Sequence, residues 1–306
     1  MKSFLLNALG VIGSVASIVS LFSDNIVFKS IGIAFVLIYI VVISVFVAKR
    51  YFSIKKITAR IETEFNNRIQ NLSEINRGFF DTLKNEIADV HNCSSIDIGT
   101  FEKVIVTCCT SLNNYFDHYL GNKNSVCIKR IKTETILDED VHEWDIVTFG
   151  RSLSTKRHRG IKDYKSCKVK ENTDFELILT GAEDYFASPD LNVTVQKYKD
   201  NNLIFRNSRK NFLEHYQSTI VVPIRISMEK IDASLKQHMN YSDEQHVFHV
   251  LGFLCIDSMQ TYEENSIPFA SAVEQAIAFA DAIYPLLEAY LVAQLPSQEE
   301  LTTPCS

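Results

Sequence analysis

Between positions 151 and 170 the sequence places Arg151, Lys156, Arg157, Arg159, Lys162, Lys165, Lys168 and Lys170 against a single acid, Asp163. Eight cations against one acid give +7 in twenty residues of a 306-residue chain whose formal charge is −6, so the remainder carries −13. Positive charge so concentrated attracts phosphate, whether in a nucleic acid or oligonucleotide or on anionic lipid headgroups, and it attracts acidic proteins. It is equally what a solvated loop with no ligand looks like. Tyr164 is the one aromatic side chain interleaved with these cations, a thin basis for stacking on single-stranded bases. The candidate anion-binding residues are Arg151, Lys156, Arg157, Arg159, Lys162 and Lys165.

Just upstream, Asp138, Glu139, Asp140, Glu143 and Asp145 surround His142. Calcium loops need oxygen ligands at fixed spacing, and D-x-D-x-D-G is absent, so this is an acidic turn suited to pairing with the basic run. His246 and His249 fall on opposite faces of a regular strand, which disfavours a two-histidine metal site. Asp257 and Ser258 end the strongest strand, where a turn is their ordinary role. The chain has no Walker A loop, G-x-S-x-G elbow, H-E-x-x-H helix or zinc-ribbon spacing. The sequence therefore points to no catalytic residue, no metal, no cofactor and no enzyme. Its seven cysteines, Cys93, Cys108, Cys109, Cys127, Cys167, Cys255 and Cys305, are odd in number and form no C-x-x-C pair. They read as reduced structural thiols of a cytosolic domain.

The elements that must position these residues begin at a membrane. Between Lys2 and Lys49 only Asp24 and Lys29 are charged. Two apolar runs, at about 4–22 and 31–48, are each long enough to cross a bilayer as a helix, and residues 1–50 read as a transmembrane hairpin. A cleaved signal peptide ending near Ala16 or Ser17 fits less well, because the first run is long and a full second span follows. Lys2 precedes the first span, and Lys49, Arg50, Lys55, Lys56 and Arg60 follow the second. That distribution sets both termini on the cytoplasmic side of an inner membrane. In the first span Gly10 and Ser14, and Gly13 and Ser17, stand four apart, a small-residue face suited to close helix packing in lipid and to a homo-oligomer.

Beyond the hairpin, apolar residues recur at Ile54, Ile57, Ile61, Phe65, Ile69, Leu72, Ile75, Phe79, Leu83, Ile87 and Val90, a mean spacing of 3.6. This predicts an amphipathic stalk helix over 51–92, with Gly78 a local weak point. Its stripe needs cover from the domain that follows or from a second protomer. Residues 93–295 then read as a cytosolic α+β domain and 296–306 as a disordered tail. A helix is expected over 100–120 and strands over 126–131, 146–149, 193–198, 218–226 and 247–256. A helix opened by Ser266-Ile267-Pro268 closes the domain, with Pro285 expected to kink or restart it. The fold class is α+β: an antiparallel sheet with flanking helices behind the membrane hairpin and long helix.

The segments YQSTIVVPIR at 216–225 and FHVLGFLCIDS at 248–258, followed by a long terminal helix, resemble the last third of a GAF domain. The resemblance implies that 172–181 and 184–191 supply pocket-lining helices and loops. It names no ligand: the NKFDE-type motif of cyclic-nucleotide-binding members is missing, and no cysteine stands in a bilin-attachment context. The architecture, a sensing-type domain on a two-helix membrane anchor with no output enzyme, also resembles two-transmembrane effectors of bacterial anti-phage systems, including retron-associated ones. That resemblance implies a membrane-perturbing effector, restrained through the basic segment by a nucleic acid, nucleotide or protein. The alternative is a membrane-anchored GAF-type sensor that signals to a separate partner protein.

Overall fold

A computed structural model describes residues 26–92, 98–121, 123–132, 140–153, 165–227, 230, 231, 233, 235, 248–264 and 266–294. The first expected span, with Gly10, Gly13, Ser14 and Ser17, lies outside the described residues, as do Lys156, Arg157, Arg159 and Lys162. The chain divides into two compact units, Met1–Gln70 and Asn71–Ser306.

The first described element is one helix, α1 (Ile26–Asn92), which runs through the second apolar run and the amphipathic repeat without a break, Gly78 included. In the first unit its stretch within Leu37–Arg60 is long and apolar enough to cross a membrane, and none of that apolar window is buried. Leu37, Ile38, Ile40, Val41, Val45, Phe46 and Val47 are all exposed.

In the second unit the part of α1 from Asn71 onward finds cover. Phe79 and Leu83 are buried, and Leu72 and Ile75 pack against the same core. The Phe79 ring meets Phe279 edge-on at 5.0 Å, and Phe80 stacks on Phe279 at 5.9 Å. Helix α2 (Ile98–Leu120) follows, then strands β1 (Asn124–Ile131), β2 (Asp145–Arg151) and β3 (Cys167–Lys168), with a 3-10 turn at Val141–Glu143 before β2. After a second such turn come α3 (Thr173–Leu179), β4 (Phe186–Ser188) and α4 (Leu191–Asp200). Strands β5 (Ser218–Ser227) and β6 (Phe248–Ser258) precede the last helix, α5 (Ile267–Ala293). The strands form one six-stranded antiparallel sheet in the order β3-β2-β1-β6-β5-β4. The α+β class expected from the sequence is the one observed.

Helices α2 and α5 pack on one face of the sheet. Between helices and sheet lie Ile105, Cys108, Leu112, Phe116, Ala276, Ala280 and Ile283, all buried. A Cβ on Gly150 would stand 2.4 Å from Ile105 Cγ2, so glycine there sets how closely α2 approaches β2. Helix α5 is also long and apolar enough to cross a membrane, yet half of its apolar stretch is buried in this core, which accounts for its hydrophobicity.

One expectation is corrected. Residues 193–198, expected as a strand, belong to α4: Asp190 caps that helix, its carboxylate accepting from Asn192 N at 2.9 Å and Val193 N at 3.4 Å. The cap overrides the β-propensity of Val193, Thr194 and Val195. Pro285 lies inside a helix that continues to Ala293. The segment after it is held by burial of Leu286, Leu287, Tyr290 and Leu291, which offsets the lost backbone hydrogen bond.

Candidate functional site

Strand alternation creates the site. Along β1, Val126 and Ile128 belong to the core while Cys127 and Lys129 line a cavity on the sheet. The register stacks cross-strand rows. Cys127 faces Cys255, which faces Val221, and Ser125 faces Asp257, which faces Thr219. Arg151, at the end of β2, joins this floor.

The opposite wall comes from α3, the start of α4 and the segment 205–216. Asn172, Asp174 and Phe175 line the cavity from the first, Leu191 from the second, and Phe205, Asn207, Ser208, Arg209 and Tyr216 from the third. Hydrogen bonds to side chains pin this wall. Arg206 N donates to Thr173 Oγ1 at 2.7 Å, Ser208 N donates to Asn172 Oδ1 at 3.0 Å, and Asn207 Nδ2 donates to the Tyr216 hydroxyl at 2.7 Å. Phe205 packs against Phe186, Tyr198 and Phe212 at ring separations of 5.5 to 5.8 Å, anchoring the same segment. The cavity volume is about 80 Å³.

The lining is charged as well as polar. Lys129, Arg151 and Arg209 share the space with Asp174 and Asp257. The Lys129 ammonium stands 4.7 Å from the centre of the Phe175 ring, a cation–π contact. Burial pulls the Lys129 pKa down, but Cys167, Cys255, Cys127 and Asp174 outweigh it and the net displacement is upward. Burial raises the Asp174 carboxyl to about 6, against the opposing pull of Lys129 and of the Phe175 N–H, which donates to Asp174 Oδ1 at 2.9 Å. Arg151 is 3% exposed, with Nη1 donating to Ser125 Oγ at 3.2 Å, and Thr219 Oγ1 donates to Asp257 Oδ1 at 2.8 Å. Cations, acids and amides around one small space can hold a molecule bearing both an anionic and a donor group.

The basic run is distributed rather than gathered. Of its six candidate residues, two are described: Arg151 lies in the cavity and Lys165 is exposed. Lys168 pairs with Asp145 at 3.4 Å and donates to the Glu143 carbonyl at 2.6 Å, and Lys170 pairs with the Glu143 carboxylate. The acidic turn therefore takes up the C-terminal end of the run. Sequence reading did not single out Lys129 or Asp174. The available signal was a lysine in the strand that carries Val126, Ile128 and Ile131, and an acid just before the mostly apolar Phe175–Leu179.

No protein-family model matches the sequence, and no curated protein matches it either. Similar solved structures do exist. The GAF domain from an Acinetobacter phosphoenolpyruvate-protein phosphotransferase is 12% identical, over 71% of this chain and 96% of that one, with a TM-score of 0.36. A free methionine-R-sulfoxide reductase from Neisseria meningitidis, in complex with its substrate, is 13% identical over 70% and 91%, also at 0.36. The phycoerythrobilin-bound GAF domain from a cyanobacterial phytochrome is 11% identical over 71% and 96%, at 0.36. Likeness at this level carries neither ligand nor activity across.

Proposed function

We propose that this chain is a membrane-anchored binding module whose α+β domain senses a small, polar, charged metabolite. The observation that carries the reading is the cavity on the sheet. A domain built only for stability fills such a space with apolar side chains, because burying charge without a partner is costly. Here five charged side chains from five segments converge on about 80 Å³. The uncovered apolar stretch within Leu37–Arg60 supports the anchor. Helix α1, whose Phe79 and Leu83 are part of the domain core, is the natural route for passing on the state of the cavity.

The test is thermal unfolding of the full chain in detergent micelles with a panel of amino acids, hydroxy acids and inorganic phosphate. A binder at a hundredfold excess over its dissociation constant stabilises by about 2.7 kcal/mol. The reading expects such a shift in the wild type and its loss in Lys129→Met. No shift from any member, or one unchanged in Lys129→Met, contradicts it.

A second reading places the output in the membrane itself. The chain would be an inner-membrane effector of a bacterial anti-phage system, restrained until a partner at the basic segment 151–170 releases it. Its support is the uncovered apolar surface of α1 and the small-residue face of the first apolar run. Induced without a partner in a bacterial host, the full chain would collapse the membrane potential and a chain beginning at Tyr51 would not. Unchanged potential with both chains at equal expression contradicts an unrestrained effector.

A further inference from the structure

Cys127 and Cys255 stand directly opposite one another on the central strands β1 and β6, and both line the cavity. Directly opposed residues of an antiparallel pair have Cα atoms about 4.5 to 5.5 Å apart, according to whether the pair is hydrogen-bonded. That whole interval lies inside the range of about 4.4 to 6.8 Å that a disulfide spans without moving the backbone. Both are free thiols. Each is almost fully removed from bulk solvent, so the cavity is the route by which a small reagent reaches them.

We infer that Cys127 and Cys255 form a redox-active dithiol, oxidised to a cross-strand disulfide by a small peroxide admitted through the cavity. The surrounding charges assign the roles. Cys127 faces Cys255 and lies near Arg151 and Lys129. These favour its thiolate over the opposing effects of burial and Asp257, so its pKa moves down. The pKa of Cys255 moves up for the complementary reason. The Cys127 thiolate attacks the peroxide, the O–O bond breaks, and an alcohol or water leaves with the proton that ionisation released. Cys127 is then a sulfenic acid, oxidised by two electrons. The Cys255 sulfur displaces its hydroxyl, which departs as water with the Cys255 proton, and the S–S bond forms. One peroxide is reduced and two thiols are consumed. The product ties β1 to β6 beneath the cavity and removes the thiolate from beside Arg151 and Lys129.

Cys109 does not fit the part: its side chain is fully buried, does not line the cavity, and burial moves its pKa up. The Cys167 thiol donates to the Ile146 carbonyl at 3.7 Å and accepts from Asn172 Nδ2 at 3.4 Å, and it does not line the cavity either.

The experiment treats the reduced full chain in detergent micelles with hydrogen peroxide, blocks free thiols with N-ethylmaleimide after denaturation, and maps peptides by mass spectrometry. Oxidation of Met259, which is 51% exposed, serves as the internal measure of dose. The expected result is joint loss of the Cys127 and Cys255 thiols into one linked peptide before Met259 is oxidised, reversed by dithiothreitol. In Cys255→Ser the reaction should halt at a sulfenic acid on Cys127 that dimedone traps. The inference is overturned if both thiols stay alkylatable once Met259 is oxidised, or if Cys127 is found linked to Cys109. Neither outcome depends on any metabolite binding in the cavity.

Discussion

Replacing Asp174 by Asn should raise the stability of the sheet domain at neutral pH and remove a pH dependence that the wild-type chain carries. The carboxyl is 8% exposed, and its pKa is raised from 3.8 to about 6, chiefly by burial. The folded state therefore holds this proton at pH values where the unfolded chain has released it. Its stabilising effect is complete below about pH 4 and is lost as the pH rises through about 6. A displacement of about two pH units is worth about 3 kcal/mol, which is what the ionised carboxylate costs the folded state at pH 7. Asparagine can still accept from the Phe175 N–H, now 2.9 Å from Asp174 Oδ1, and it does not ionise. The stability of Asp174→Asn relative to wild type should therefore climb by about 3 kcal/mol between pH 4 and pH 7. Urea unfolding of the full chain in micelles can be followed through Trp144, the single tryptophan, which is 6% exposed. If the difference instead falls as pH rises, attraction to Lys129 outweighs burial and the electrostatic account of the cavity is wrong. A flat difference would show that the carboxyl titrates alike in the folded and unfolded chain.

Two glycine replacements should move in opposite directions in the same assay. A Cβ on Gly252 would stand 2.2 Å from the Lys129 carbonyl oxygen, so Gly252→Ala must push β1 from β6 and should cost about 3 kcal/mol or more. Gly78 has nothing within 4 Å of its Cβ position, so Gly78→Ala should stabilise α1 by up to about 1 kcal/mol. For the anchor, alkaline carbonate should leave the full chain in the membrane pellet and release a chain beginning at Tyr51. Release of the full chain would contradict the membrane reading.

The framework was legible because its signals are periodic. The 3.6-residue stripe through Leu72, Ile75, Phe79 and Leu83 marked a helix that needed cover, and Phe279 supplies part of it. The apolar runs of β5 and β6 marked the two long strands that pair with each other. The cavity was legible only in outline, through the segments 172–181 and 184–191. Its chemistry depends on which strand residues share a face with Asp174, a matter of register: Cys127 opposite Cys255, and Ser125 opposite Asp257 opposite Thr219. β1 and β6 are far apart in sequence, with no short turn between them to fix the register, so no local pattern discloses it. The basic run misled in one respect, since counting charges along the chain cannot show that Arg151 turns into the cavity while Lys168 and Lys170 pair with the acidic turn.

Amide hydrogen exchange on the full chain in lipid nanodiscs, with and without whichever panel molecule stabilises it most, tests the central claim most directly. A cavity ligand should slow exchange in α3, in the segment 205–217 and in the facing parts of β5 and β6, and Lys129→Met should abolish that protection. Protection confined to other surfaces, or retained in Lys129→Met, would contradict the assignment of this cavity as the sensing site.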